Sequence, residues 1–257
     1  MSGIIDTHAH LDEIENLEQV LTTAKSSGVT GIVAVGSDGE SNRKVLDIAR
    51  RYPGFVYPAI GLHPWNIKEV ALESELAFID AHVNDVVAIG EIGLDYHKKA
   101  LASAGKSLQK TVLARLLKIA CNNDKVVIIH SRYAWRDSLD LVIEAKVKQV
   151  MFHWFTGPSS VLRDIISNEY YLSATPAVEY HEEHRRAVKE APLERLLLET
   201  DSPVVYRRGT EYEFESAPGD VIRSLAGAAK LKNLPQDIVA NATSANAVRL
   251  FGLHEKL

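Results

Sequence analysis

Short apolar runs alternate with longer amphipathic segments along the whole chain. The runs are rich in β-branched residues, which is typical of strands buried on both faces of a parallel sheet. They lie at Ile4–Ile5, Gly31–Val35, Val56–Ile60, Val86–Ile89, Val126–Ile129, Val150–Phe152, Tyr170–Ser173 and Leu196–Leu198. The pattern therefore predicts eight strands.

The segments between the runs have apolar residues at helical spacing. The first, at 13–27, has Ile14, Leu17 and Leu21 on one face and is followed by Gly28, a common helix stop. Further helices are predicted at 103–121, 136–145, 159–167, 182–190, 218–230 and 235–250. Strands that alternate with helices predict an α/β fold, a (β/α)8 TIM barrel.

A doubly wound open sheet is the alternative to a barrel. It would place a glycine-rich phosphate loop after its first strand, whereas this chain has Asp6–His10 there. The length of 257 residues suits one barrel. Because no Pro/Gly/Ser-rich linker divides the chain, we expect a single domain over residues 1–257.

Composition narrows the choice of partners and compartment. A net charge of -5 gives no general attraction to nucleic acid or to an anionic membrane, so any phosphate-binding surface must be local. The N-terminus does not resemble a signal peptide, and no run reaches the ~18 apolar residues that would cross a membrane. A single cysteine, Cys121, excludes an intramolecular disulfide and is predicted to be buried on a helix face. We expect a cytoplasmic protein that does not enter membranes.

Histidines and acids follow the apolar runs, where barrel strands end. In TIM barrels this carboxyl-terminal face carries the active site, because the loops of all strands converge there. The residues in question are His8, His10, His63, Glu91, His130, His153 and Asp201. We therefore predict that they lie around one site.

These residue types at these positions predict a metal centre. His8 and His10 are two apart and would point the same way from a strand, so that both can bind one cation. Glu91 has two oxygens and can bridge two ions, the second of which His130 and His153 can hold. A lone His-x-His motif is weak evidence, but polar groups after several apolar strands are costly to desolvate unless they share a role. We expect one or two divalent ions, Mg, Mn or Zn.

The remaining roles follow from residue chemistry. Asp201 is predicted to bind metal and to accept a proton from a water molecule. His63 is a candidate substrate-binding and catalytic residue, and a hydrogen bond within its own turn is the alternative. Arg132 can hold a phosphate through two hydrogen bonds or pair with a carboxylate. Glu199 is predicted to orient a ligand histidine, and Asp95 to cap a helix or support the ligands.

Other aromatic and histidine residues have weaker assignments. Trp65, Tyr96, Trp154 and Phe155 follow strand ends and are either surfaces for base stacking or plugs of the core. The remaining histidines are interpreted as solvated or structural. They are His82, His97, His181, His184 and His254.

Six motifs, in order along nearly the whole chain, resemble those of the TatD family of deoxyribonucleases. The motifs are Asp6–Asp12, Gly61–Pro64, Gly90–Tyr96, His130–Arg132, His153–Gly157 and Leu198–Pro203. The resemblance implies an amidohydrolase-like barrel with two metal ions that hydrolyses DNA phosphodiesters, often from a 3′ end. It implies one metal group of His8, His10, Glu91 and Asp201 and a second of Glu91, His130 and His153.

The chain departs from the family pattern in two places. The stretch 204–218 lacks the Asn that the family often shows, and acidic residues intrude. Trp65 stands where the family commonly has a smaller or more polar residue. The 204–218 loop would border the mouth of the barrel, so it bears on the choice of substrate.

The predicted reaction uses a water activated by a cation, with Asp201, Glu91 and His63 as catalytic residues and with His63 and Arg132 holding the phosphate. DNA is the expected substrate, and the sequence leaves any protein partners unknown. The alternatives are a metal-dependent ester or amide hydrolase, such as a D-aminoacyl-tRNA deacylase, and a non-catalytic metal-binding barrel.

Overall fold

The barrel forms as the sequence predicts. The structure, a computed structural model, describes residues 3–253. Its eight main strands lie side by side in chain order, and each is parallel to the next. They are β1 (Ile4–Ala9), β2 (Val29–Val35), β3 (Val56–Ile60), β4 (Ala88–Asp95), β5 (Val126–Arg132), β6 (Val150–Phe152), β7 (Tyr171–Ala174) and β8 (Leu196–Leu198). The predicted (β/α)8 TIM barrel is confirmed.

The sheet closes between β8 and β1 through the chain that follows β8. The backbone N–H of Asp201 donates to the carbonyl of His8 at 2.9 Å, and the N–H of His10 donates to the carbonyl of Ser202 at 2.8 Å. Ala9 and Ser202 form an isolated parallel bridge. The seam therefore places Asp201 directly beside the two histidines of the first strand.

Helices cover the outside of the barrel. Over residues 3–253 they are α1 (Leu17–Ser26), α2 (Gly39–Arg51), α3 (Leu72–Ala81), α4 (Lys98–Ser103), α5 (Lys106–Asn122), α6 (Trp135–Glu144), α7 (Ser159–Ser167), α8 (Glu182–Glu190), α9 (Val221–Lys232) and α10 (Gln236–Phe251). A short hairpin of β9 (Val205–Tyr206) and β10 (Phe214–Glu215) follows β8.

The sequence pattern did not predict helices α2, α3 and α4, although the sequences of α2 and α3 contain features that favour a helix. The carboxylate of Asp38 caps α2 by accepting from the N–H groups of Glu40 and Ser41. In α3, Leu72, Leu76 and Ile79 form a buried face at helical spacing.

The core has two layers because strand side chains alternate between the faces of the sheet. In β5, Val127 and Ile129 pack in the larger apolar cluster, beneath the helices. Val126 and Ile128 belong to a smaller cluster, which also contains apolar residues of α10. The side chain of Asn246 in α10 donates to the carbonyl groups at the start of β8. This helix therefore covers the amino-terminal end of the barrel, opposite the carboxyl ends of the strands.

Several positional predictions need correction. Cys121 is exposed, because α5 turns this position away from its buried face. Glu91 and His130 lie inside β4 and β5 and not after them, since both strands extend beyond their apolar runs. His254 and the ends of the predicted domain, residues 1–2 and 254–257, lie outside the described residues. In the described part of the chain, no helix is both long and apolar enough to span a membrane.

Candidate metal centre

The structure brings six of the predicted site residues together at the carboxyl-terminal end of the barrel. They are His8, His10, Glu91, His130, His153 and Asp201. Their elements start far apart in sequence and meet only because the carboxyl ends of the parallel strands form one rim. The donor atoms divide into two groups that share Glu91.

The first group consists of four donor atoms, in which the two histidine nitrogens lie at similar distances from each other and from an oxygen of each acid. The Nε2 atoms of His8 and His10 are 3.3 Å apart. Oδ1 of Asp201 is 3.3 Å from the first nitrogen and 3.4 Å from the second, and Oε2 of Glu91 is 3.6 Å from both. Four ligands held tetrahedrally at about 2.1 Å from zinc would lie about 3.4 Å apart. The residues of this group therefore fit a divalent cation.

The second group uses the other oxygen of Glu91. Its Oε1 is 2.9 Å from Nδ1 of His130 and 2.7 Å from Nε2 of His153. These two nitrogens are 3.4 Å apart. The carboxylate thus presents one oxygen to each group, the arrangement that a ligand bridging two metal ions requires.

Mutual charge keeps the acids of the cluster ionised. Burial opposes ionisation of Glu91, but the positive charge of His153 and the hydrogen bonds from His130 and His153 hold the pKa of its carboxyl well below the usual range. Burial likewise opposes charge on His10, yet the hydrogen bond and charge of Asp201 raise its pKa to about 9. Without metal, the carboxylates therefore share protons with the histidines. A bound cation would take the place of those protons.

The backbone of β4 is shaped to place Glu91. The β4–β5 ladder shifts register between Ile89 and Ile92, which aims the Glu91 side chain into the mouth. Gly93 has a φ of +156°, and a Cβ atom there would lie 1.9 Å from the carbonyl oxygen of His130. Only glycine permits this close approach of β4 to β5.

Asp201 occupies an unusual backbone conformation. Its φ is +51°, in the left-handed region that asparagine and aspartate tolerate better than most residues. Its carbonyl accepts from the N–H of Val204, which makes a tight turn. This turn points the carboxylate back at His8 and His10.

The outer nitrogens of two histidines also have acceptors. Nδ1 of His10 is 3.1 Å from the carbonyl oxygen of Val35. His130 donates from Nε2 to Oδ2 of Asp95, at 3.2 Å. Helix capping and ligand support were the two roles predicted for Asp95, and its carboxylate contacts a candidate ligand directly. Such contacts fix which nitrogen of the ring faces the metal.

Glu199 lies behind His153. Its Oε1 is 3.5 Å from Nδ1 of that ring and accepts the N–H of Trp154 at 3.0 Å. Both carboxylate and ring are buried, and Glu199 is fully enclosed. The position matches the predicted orienting role, although the shorter contact of Glu199 is with the backbone.

His63 borders the second group with its ring held in one tautomer. Its Nδ1 accepts a hydrogen bond from the backbone N–H of Trp65 at 3.2 Å. This is the hydrogen bond within its own turn that was one of the two alternatives predicted from the sequence. Burial lowers the pKa of His63 to about 3, so the ring is neutral at neutral pH. Nε2 therefore carries the proton, and it lies 3.7 Å from Oε1 of Glu91. A protonated nitrogen cannot bind a metal but can donate to a substrate oxygen.

Arg132 lies two residues beyond His130 on β5, so both side chains leave the same face of the strand. Its guanidinium is 5.6 Å from the ring centre of Tyr133. No carboxylate among residues 3–253 pairs with it. Of the two partners predicted for Arg132, a phosphate and a carboxylate, the carboxylate is therefore not found.

Comparisons with known proteins agree with this architecture. The profile of the family described as TatD related DNase matches residues 5–252. Human deoxyribonuclease TATDN3 is 31% identical over 97% of this chain and 94% of its own. The metal-dependent hydrolase YabD of Bacillus subtilis is 34% identical over 98% and 100%. The structure of YJJV, a TatD homologue of Escherichia coli, superposes with a TM-score of 0.86 at 28% identity and covers 98% of both chains. The chain belongs to the TatD related DNase family.

Proposed function

We propose that the protein is a metal-dependent deoxyribonuclease that hydrolyses DNA phosphodiester bonds, acting as a 3′–5′ exonuclease from a single domain over residues 1–257. The observation that carries the proposal is the pair of donor groups joined by Glu91. Family membership supports it, and relatives at over 30% identity bear the names deoxyribonuclease and metal-dependent hydrolase.

The proposed ligands of the first ion are His8, His10, Glu91 and Asp201, and those of the second are Glu91, His130 and His153. Divalent cations held there would lower the pKa of water and neutralise charge on a phosphate. Imidazole and carboxylate donors accept Mg, Mn or Zn, so metal identity is a matter for measurement.

Three side chains of the protein have the remaining catalytic and substrate-binding roles. Burial alone would raise the pKa of Asp201, but its hydrogen bond to His10 and the charge of His8 keep it below the usual range. The carboxylate is thus ionised and can accept the proton that water loses as its oxygen adds to phosphorus. The ester P–O bond to the leaving nucleotide breaks in the same displacement, and the proton held by Asp201 can then pass to the leaving oxygen. The Nε2–H of His63 donates to a phosphoryl oxygen, and Arg132 balances the charge of the phosphate.

Exposed aromatic side chains favour nucleic acid over a small ester as substrate. Among residues 3–253, four aromatic rings are exposed: Trp65, Tyr133, Tyr180 and Tyr212. All four follow the carboxyl ends of strands, in the loops after β3, β5, β7 and β8. The guanidinium of Arg207 lies 4.9 Å from Tyr180 and 5.7 Å from Tyr212. Rings interleaved with arginine around a mouth suit stacked bases and their phosphates.

An end-labelled DNA assay tests the proposal. Single- and double-stranded oligonucleotides, labelled at either end, are incubated with the protein in Mg, Mn or Zn, beside Asp201→Asn. We expect metal-dependent shortening from the 3′ end and a loss of 10²-fold or more in the variant, as for removal of a general base. Asp140→Asn, at an exposed position on α6, is the matched control.

Two results would contradict the proposal. Cleavage of DNA that continues in the presence of a chelator would mean that the metal centre does not catalyse it. Hydrolysis of simple esters or of D-aminoacyl-tRNA without any cleavage of DNA would mean that the metal centre acts on a substrate other than DNA. The cytoplasmic location stays a prediction from sequence, which cell fractionation tests.

A further inference from the structure

Trp65 combines an exposed ring with a hydrogen bond to a buried carboxylate. The side chain lies just after β3, and the residue is 52% exposed. Its indole Nε1 nevertheless donates to Oδ2 of Asp95 at 2.7 Å, and Asp95 is fully buried. A packing role does not account for this residue, because half of its surface faces solvent.

The carboxylate of Asp95 is held from several sides. Its Oδ2 also accepts from Nε2 of His130 at 3.2 Å, and its Oδ1 accepts the N–H of His97 at 2.7 Å. The side chain of Gln109 fixes the backbone, since it accepts from the N–H of Asp95 and donates to its carbonyl. The carboxylate therefore has one orientation, and the indole N–H is one of the three donors that define it.

This orientation determines how His130 meets the second donor group. Because Nε2 of His130 donates to Asp95, Nδ1 is the nitrogen that faces Oε1 of Glu91, at 2.9 Å, and it would bind a cation once its own proton is displaced. A carboxylate free to rotate would hold the ring less firmly in this tautomer and direction. Contacts to the outer nitrogen of a ligand histidine typically change metal affinity by 10–100-fold when they are removed.

We propose that Trp65 is a positioning residue that tunes the affinity of the second metal ion through Asp95 and His130. The inference rests on the proposed function only in so far as His130 is a metal ligand. It adds a route by which a residue on the rim, outside both donor groups, acts on the centre. The effect passes through one hydrogen bond, so removing a single N–H group tests it.

The test compares Trp65→Phe with Trp135→Phe in the full chain. Phenylalanine keeps an aromatic ring and removes the indole N–H. Trp135 is the matched control because its Nε1 is buried and has no partner within residues 3–253. Metal-free proteins are titrated with Co²⁺ and followed by calorimetry and visible absorption, which report each bound ion and its ligand geometry.

We expect two binding steps in the unaltered protein. Trp65→Phe should weaken one step about tenfold and shift its absorption band, leave the other step unchanged, and leave the Tm of the metal-free protein close to its original value. Trp135→Phe should titrate like the unaltered protein. In an Asp95→Asn background, Trp65→Phe should add no further loss, since both act through the same bond.

The outcomes separate this inference from the function itself. If the unaltered protein binds no Co²⁺, both proposals are overturned. If it binds two ions and Trp65→Phe titrates identically, or weakens both steps equally, only the role of Trp65 is overturned. A further loss from Trp65→Phe in the Asp95→Asn background would also contradict the route through Asp95.

Discussion

Nε2 of His63 lies 3.7 Å from Oε1 of Glu91, and the first atom is a hydrogen-bond donor whereas the second is an acceptor. The N–H of Trp65 occupies Nδ1 of His63, so the proton of the neutral ring is on Nε2. Glu91 offers lone pairs to both donor groups, whereas His63 offers a hydrogen bond. We therefore predict that His63 is not a metal ligand, despite its proximity to the centre.

Removing His63 should reduce turnover without removing metal. We expect His63→Ala to lower kcat by about 10²-fold or more, as for the loss of one donor to a developing charge. Metal analysis of the purified variant should show unchanged stoichiometry. His63→Gln keeps an N–H donor at similar reach and should recover part of the rate. A metal ion missing from His63→Ala would show that the ring is a ligand after all.

Glu91 should affect both binding steps, because each of its oxygens faces a different group. Glu91→Gln replaces one oxygen with an amide that cannot ligate and removes the negative charge. We expect both steps of a Co²⁺ titration to weaken, whereas His153→Ala weakens mainly one. The increase in Tm that saturating metal provides should shrink accordingly. Loss of a single step in Glu91→Gln would argue against a bridging carboxylate.

Gly93→Ala should destabilise the barrel strongly. A Cβ atom would lie 1.9 Å from the carbonyl of His130, and φ at this position is +156°. We expect the free energy of unfolding to fall by more than about 3 kcal/mol, from overpacking together with backbone strain. Gly219→Ala is the control, since its nearest neighbour would be 3.5 Å away. Urea unfolding measures both, and equal stability of the two variants would contradict the packing argument.

His184 should make stability fall in mild acid. Burial lowers its pKa to about 4, and the ring accepts from the N–H of Thr175 and donates to the carbonyl of Phe155. The unfolded chain binds this proton near pH 6.5 but the folded protein only near pH 4. Lowering the pH from 6.5 to 4 therefore favours unfolding, by roughly 3 kcal/mol.

Unfolding free energies of the protein and of His184→Gln, measured across this pH range, check the prediction. Glutamine does not titrate, so the variant should lose less stability between pH 6.5 and 4, even though other groups titrate in both proteins. Parallel curves would show that His184 does not carry the effect.

The sequence predicted the fold because β-branched runs and helical spacing are local signals. Short apolar runs such as Val126–Ile129 can be buried on both faces only in a covered parallel sheet. The same signal failed at the ends of β4 and β5. Glu91 and His130 are polar residues, so the apolar pattern stopped before them, although the backbone continues as strand.

The sequence by itself determined which residues could share a centre, because strand ends in a barrel converge and His, Glu and Asp have few other reasons to gather there. Only the tertiary structure decided how they meet. The approach of Asp201 to His8 and His10 and the bond from Trp65 to Asp95 depend on contacts between residues distant in the chain. Such contacts are set by packing and hydrogen bonding in three dimensions, which local patterns do not encode.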